Sequence, residues 1–154
     1  MSIHIALYEP DIPQNVGAAI RLSACIGWPL DIIEPTGFPW NDKKIRQSAM
    51  DYIEDVDLIR HTSWDMFKEH YPQRRIILLS TKGAEPYYDF SFHANDILLG
   101  GRESAGVPDH IHQSADAVVT IPMKTGMRSM NVINAISMVS GEARRQTEQV
   151  GNDE

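Results

Sequence analysis

The sequence predicts an α/β fold in which a mostly parallel sheet is flanked by helices. Two observations predict it. Short, continuously apolar runs, of which Ile76-Ile77-Leu78-Leu79 is the clearest, alternate with segments whose apolar residues recur at helical spacing. Such runs are typical of strands buried on both faces, as in parallel sheets, and their alternation with helices is the α/β signature. The connections are short and no repeat is visible, so the 154 residues read as one domain, 1–154.

In chain order, Ile3 to Tyr8 reads as a strand, ended by Pro10 and Pro13. Asn15 to Gly27 reads as a helix with Val16, Ile20 and Ala24 on one face; Gly27 stops it and Pro29 blocks continuation. Leu30 to Glu34 is a second strand, and Pro35, Gly37 and Pro39 make a loop. Asp42 to Met50 is helical, Val56 to Ile59 a short strand, and Ser63 caps a helix running to His70. Arg75 to Leu79, Ile97 to Leu99 and Val118 to Ile121 are strands. A last helix runs from Ser129 to Gln146, with Ile133, Ile136, Val139 and Ala143 on its apolar face. The tail from Thr147 to Glu154 is polar and reads as frayed.

The bulk numbers exclude several classes. No apolar run approaches the roughly 18–20 residues that span a bilayer, and the N-terminus has no signal-peptide shape. The expectation is a cytoplasmic protein without a membrane role. The lone Cys25 rules out an intrachain disulfide and a cysteine-cluster zinc site, and no metal is expected. Its neighbours Leu22, Ala24 and Ile26 suggest a small buried residue. A net charge of −7 argues against nonspecific coating of nucleic acid, since Lys and Arg carry phosphate binding. Local basic patches remain: Lys43, Lys44 and Arg46; Arg74 and Arg75; Lys124 and Arg128. Each alone is also compatible with a solvated face.

Ligands of open parallel sheets bind beyond the carboxyl ends of the strands, and three loops there carry unusual residues. In Glu9-Pro10-Asp11-Ile12-Pro13-Gln14-Asn15-Val16-Gly17, Asn15 can cap the helix and Gly17 allows close backbone approach. Arg21 lies one turn on from Gly17, where a cation can face a phosphate or ribose; a routine capped helix with a surface arginine explains this segment equally well. The second loop, Gly100 to Pro108, holds three glycines in its first seven residues, a tight turn suited to presenting amide N–H groups to a flat ligand. It is neither a Rossmann fingerprint nor a Walker loop. The third, Ile121 to Asn134, puts Ser129 at the cap of the last helix and Asn131 and Asn134 in its first turns. Capping explains Ser129, whereas amides on a buried side imply something that hydrogen-bonds to them.

Together these loops resemble the three motifs of the 2′-O-methylating branch of the SPOUT superfamily of RNA methyltransferases. The matching residues are Asn15-x-Gly17-x-x-x-Arg21, then Gly101-Arg102-Glu103-Ser104-Ala105-Gly106-Val107-Pro108, then Ile121-Pro122-Met123 with Arg128-Ser129-Met130-Asn131. Order and spacing agree from Ile3 to Gln146. Leu7 to Asn15, Ile33-Glu34-Pro35-x-Gly37-Phe38 and Asp51-Tyr52 are similar to the smallest members, which methylate the wobble cytidine or uridine (position 34) of tRNA. Two positions depart from common usage: Ala105, where some relatives carry Arg, and Arg102, where Pro is common.

The resemblance implies a C-terminal trefoil knot, S-adenosyl-L-methionine as cofactor, a tRNA substrate, and a homodimer with the active site at its interface. Carried over by motif, Leu79, Gly101, Ile121, Met123 and Ser129 would hold the cofactor, and Arg21, Ser129 and Asn131 would be catalytic. Asn15, Glu103, Lys124 and Arg128 would support substrate or loops, with Glu103 holding Arg21 or backbone amides. Three rival readings stay open: ribosomal RNA as substrate, a non-catalytic RNA-binding module of the same fold, and a nucleotide-dependent oxidoreductase. The last lacks its expected glycine fingerprint and acidic partner.

Overall fold

The structure is a computed structural model that describes residues 2–83, 85–127 and 130–148. Seven strands form one sheet: β1 (His4–Tyr8), β2 (Leu30–Ile33), β3 (Leu58–His61), β4 (Ile76–Leu79), β5 (Glu85–Pro86), β6 (Ile97–Gly100) and β7 (Ala117–Thr120). Their order is β3-β2-β1-β6-β4-β7-β5, and every pairing is parallel. The alternating residues of one strand feed two cores, as continuous apolar runs require. Ile5, Leu7, Leu30, Ile32, Ile77 and Leu98 pack on one side, while Ala6, Tyr8, Ile33, Ile76, Leu78, Ile97 and Leu99 pack on the other.

The first face is covered by α1 (Pro13–Ile26), α2 (Asp42–Ser48) and α5 (Val132–Thr147), through Val16, Ala19, Ile20, Ile45, Ile133 and Ile136. The second is covered by α3 (Trp64–His70) and α4 (Asp109–Ser114), through Phe67 and Ile111. A polar knot of side chains pins the α3 end. The fully buried Asp31 carboxylate contacts His4 Nδ1 at 2.7 Å and His61 Nε2 at 2.6 Å, and accepts from the Tyr71 hydroxyl at 2.7 Å. A buried carboxylate is tolerable only when so surrounded. Among the described residues no helix is long and apolar enough to cross a membrane.

Several expectations need correction. Asn15 does not cap α1: Ile12 holds the cap position without a side-chain bond, and Pro13, whose missing N–H costs nothing there, begins the helix. The last helix starts at Val132, and its cap is Asn131, whose Oδ1 accepts from the N–H groups of Ile133 (2.8 Å) and Asn134 (3.1 Å). Ser129 and Arg128 lie outside the described residues. The strand expected at Val56 sits two residues later, because its register is set by pairing Leu58 with Leu30 and His61 with Ile33. Cys25 is exposed rather than buried. It stands nine residues from Val16, about 180° around the helix, and therefore faces away from the core. Ser63 does cap its helix, accepting from the Met66 N–H at 3.1 Å.

Candidate active site

The ends of three adjacent strands, β6, β4 and β7, open on one cavity of about 280 Å³. Its walls are Leu78 to Lys82 at the end of β4 and beyond, Gly101 to Val107 after β6, Val119 to Ile121 with Met123 at the end of β7 and beyond, and Met130, Val132 and Ala135 at the head of α5. Of the residues expected to hold a cofactor, Leu79, Gly101, Ile121 and Met123 all line it.

The turn after β6 explains its glycines. A Cβ on Gly101 would stand 2.8–2.9 Å from the backbone of Gly106, because the turn closes on itself. The Arg102 N–H donates to the Gly106 carbonyl (3.0 Å) and the Gly106 N–H to the Arg102 carbonyl (2.9 Å), with Gly106 at φ 63. At Gly100 a Cβ would meet Ile136 Cδ1 at 2.8 Å and Val132 Cγ2 at 2.9 Å, so glycine is what lets α5 settle against β6. The glycine content suggested free amides for a ligand, but not every amide of the turn is available to one. Those of Glu103 and Ser104 point instead at the Asp11 carboxylate, 3.3 and 3.4 Å away.

Glu103 ties three segments together. Its Oε1 accepts from Asn15 Nδ2 (2.9 Å), Asn131 Nδ2 (3.3 Å) and the Val132 N–H (2.9 Å). A carboxylate at the first N–H groups of α5 is favoured by the helix dipole. Asn131 Nδ2 also donates to Asn15 Oδ1 (3.1 Å). Thus Asn15, Glu103 and Asn131 interlock, and Glu103 holds backbone and amide groups; no contact with Arg21 is seen among the described residues. Asn134, expected on the buried side, is exposed.

Arg21 is not among the cavity residues. It lies one turn beyond Gly17 on the same side of α1, the side against which α2 packs: a Cβ on Gly17 would stand 2.4 Å from Ser48 Cβ and 2.6 Å from its carbonyl carbon. Arg21 is half-buried and, among the described residues, forms no ion pair. The other basic patches divide. Arg74 donates to the carbonyls of Ser2 and Asn95, and Arg75 pairs with Asp96 (2.7 Å), so these two brace the fold. Arg46 pairs with Glu54 (2.7 Å), which leaves Lys43 and Lys44 exposed on α2. Lys124 is exposed at a turn where the Met127 N–H donates to its carbonyl, and it does not line the cavity. Arg102 stacks 5.6 Å over the Tyr8 ring, and its Nε donates to Gly106 O, so a cation here reinforces the turn.

Reading the residues missed Asp11, and it missed Ser80, Thr81, Lys82 and His112 as cavity residues. Their only sequence signal was position just after a strand or inside a weakly patterned helix.

The SpoU rRNA Methylase family matches residues 2–140. The chain belongs to this family. The tRNA (cytidine(34)-2′-O)-methyltransferase of Beijerinckia indica subsp. indica is 54% identical over 144 residues, covering 92% of this chain and 90% of the relative. A solved structure described as "Structural insights into the 2-OH methylation of C/U34 on tRNA" superposes with TM-score 0.89 at 37% identity, covering 94% of this chain and 95% of the other. The SpoU methyltransferase AviRb from Streptomyces viridochromogenes, solved with AdoMet, shares the fold at TM-score 0.85 and 24% identity; it is longer, with 60% of its chain covered against 94% of this one.

Proposed function

We propose that this member of the SpoU family transfers a methyl group from S-adenosyl-L-methionine to the ribose 2′-hydroxyl of nucleotide 34 of tRNA. One observation carries the reading. The turns after three neighbouring parallel strands converge on one cavity, and the motif residues Asn15, Glu103 and Asn131 lock the turn after β6 and the start of α1 to the head of α5. Overlap of 90% or more with the tRNA relative selects tRNA over ribosomal RNA.

The cavity fits the cofactor. Leu78, Leu79, Val119, Ile121 and Met123 offer an apolar slot, Ser80 and Thr81 add hydroxyls, and its 280 Å³ lies near the lower end of ligand-sized sites. Leu79, Gly101, Ile121 and Met123 would hold it, with Ser129 from the segment beyond. When bound, it supplies an activated methyl group on a sulfonium sulfur. The chain has to align the ribose oxygen with that group, and alignment alone contributes on the order of 7–11 kcal/mol in favourable cases.

A 2′-hydroxyl is a weak acid. A guanidinium gives up its own proton only with difficulty, so Arg21 serves as a fixed cation that grips the neighbouring phosphate and eases proton loss from the hydroxyl. Ser129 and Asn131 orient the ribose or the cofactor, Asn131 while also capping α5. Lys124 and Arg128 meet the RNA backbone. Arg21 does not line the cavity of its own chain, and this supports a homodimer in which two copies complete each site. The C-terminal segment forms a trefoil knot, and the protein acts in the cytoplasm without a metal.

The test is incubation with labelled S-adenosyl-L-methionine and either total tRNA or ribosomal RNA, followed by mass-spectrometric mapping. Label on the ribose of nucleotide 34 is expected. Label on a base, or only on ribosomal RNA, would overturn the assignment. Sedimentation across a concentration series checks the dimer; a purely monomeric active enzyme would overturn that part.

A further inference from the structure

The geometry points to Asp11 as a positioning residue that sets the cofactor-facing turn, an inference that rests on the proposed methyl transfer. Asp11 lies in the loop between β1 and α1. Its carboxylate accepts from the Glu103 N–H (3.3 Å), the Ser104 N–H (3.4 Å) and the Ser104 hydroxyl (2.5 Å), across more than ninety residues of chain. These are three donors of the turn that walls the cavity. With the amides of Glu103 and Ser104 committed to Asp11, the position of the turn against the cavity is set by that carboxylate.

Three further observations show that this meeting is built into the fold. First, the register places Leu7 beside Gly100, so the loops leaving β1 and β6 depart at the same level and meet about four residues on. Second, Glu9 adopts φ 41, a left-handed conformation uncommon for a residue with a side chain. Such strain persists where surrounding structure demands it; here it bends the chain between the end of β1 and Asp11. Third, Asp11 is backed from the other side. Gly37 donates its N–H to the Pro10 carbonyl (2.9 Å), and a Cβ on Gly37 would stand 2.7 Å from Asp11 Cβ. Loops after β2, β1 and β6 are therefore stacked in series, Gly37 on Asp11 on Ser104, ending at the cavity wall. The Ser104 hydroxyl, donating to Asp11, holds its carboxyl below the usual carboxylate range.

Asp11 also fixes distance. Asn15, one turn further along the same segment, grips Glu103. Asp11 and Asn15 together set α1, which carries Arg21, against the cofactor turn. Loss of the Asp11 grip would leave the turn held by Glu103 and by Arg102 over Tyr8, with its Ser104 corner free to shift.

The test compares Asp11→Asn, Ser104→Ala and the double variant with wild type in the full chain. Asp11→Asn preserves size and replaces one acceptor oxygen by a donor that faces other donors. Cofactor affinity, read by calorimetry without RNA, is expected to fall about tenfold, and kcat about ten- to a hundredfold, with KM for tRNA within about twofold. Ser104→Ala, which leaves backbone bonding intact, should lose less, and the double variant should be no worse than Asp11→Asn, because the two groups act through one contact. Losses that simply add would overturn the proposal. So would an Asp11→Asn variant whose cofactor affinity and kcat stay within twofold of wild type, or one whose KM for tRNA rises in step with the loss of kcat. If wild type itself binds no S-adenosyl-L-methionine, the functional reading fails and this inference with it; if wild type binds and Asp11→Asn binds equally, only the role of Asp11 fails.

Discussion

Gly17→Ala gives a test whose sign separates two explanations of the motif. Gly17 sits inside α1, where alanine is favoured over glycine by about 0.8–1.0 kcal/mol. If nothing approached the position, the substitution would stabilise the protein and raise the melting temperature by roughly 2–4 °C for a domain of this size. The structure predicts the opposite. A Cβ at this position would lie 2.4 Å from Ser48 Cβ, 2.6 Å from its carbonyl carbon and 2.7 Å from its oxygen. Apolar contacts settle near about 3.5–4.0 Å, so α2 would have to retreat by roughly 1 Å. Two of the three clashing atoms are backbone, which no rotamer change can clear. Overpacking costs about 1–3 kcal/mol. The upper end applies, and subtracting the helix gain leaves a net loss of about 2 kcal/mol. Thermal melts should therefore show a fall of roughly 4–8 °C. A rise of a few degrees would refute the reading that Gly17 exists to admit α2.

Other outcomes follow from the site. Glu103→Gln keeps an acceptor at the head of α5 but loses the charge, and should cost about 1 kcal/mol; Glu103→Ala strands the Val132 N–H and should cost about 2–3 kcal/mol. Urea denaturation that ranks the two equally would show that the Glu103 contacts are not what hold α5 to the turn. Arg21→Lys should lower kcat/KM at least about tenfold, because an ammonium cannot make the two parallel bonds of a guanidinium; near-wild-type turnover would rule out bidentate phosphate recognition. At Tyr71, burial and then the bond to Asp31 raise the hydroxyl's pKa above its ordinary value near 10. The stability this contributes is complete below about pH 10 and is lost as pH rises toward the folded value. Tyr71→Phe should destabilise by about 1–3 kcal/mol at neutral pH and lose less stability than wild type between pH 9 and 11, as followed by chemical denaturation.

Much of the fold was legible in the sequence because parallel strands buried on both faces cannot hide. Ile76 to Leu79 and Ile97 to Leu99 have no polar face to obscure them. Two elements were missed for the converse reason. α4 carries one buried apolar residue, Ile111, and β5 is two residues long and contains Pro86. The strand order was out of reach, since β6 enters between β1 and β4 through pairings remote in sequence. The motif residues were found, but their partners were not. Asn15 was read as a local cap because Asn commonly is one; its amide reaches 88 residues along the chain to Glu103 instead. Asn131, read as a catalytic amide, turned out to be the cap as well, since Ser129 lies too early for a helix that begins at Val132.

The polar groups of these loops are spent mostly on one another, and this bears on how an acidic chain can handle RNA. Asn15, Glu103 and Asn131 satisfy each other, Asp11 consumes two amides and a hydroxyl, and Arg102 folds back on its own turn. What remains facing the cavity is an apolar slot of Leu78, Leu79, Val119, Ile121 and Met123, suited to a flat adenosine, bordered by the polar Ser80, Thr81, Lys82 and His112. With a net charge of −7, long-range attraction will not gather tRNA onto the whole protein. Discrimination must come from a few cations at the site. Arg74, Arg75 and Arg46 are already committed to internal partners, whereas Arg21, Lys43, Lys44, Lys124 and the cavity residue Lys82 form no ion pair among the described residues. A small number of phosphate contacts implies a shallow salt dependence, because the slope of affinity against salt scales with the phosphates neutralised. Such a protein binds RNA where one loop fits rather than wherever charge accumulates, and a site split between two copies would enforce that selectivity further.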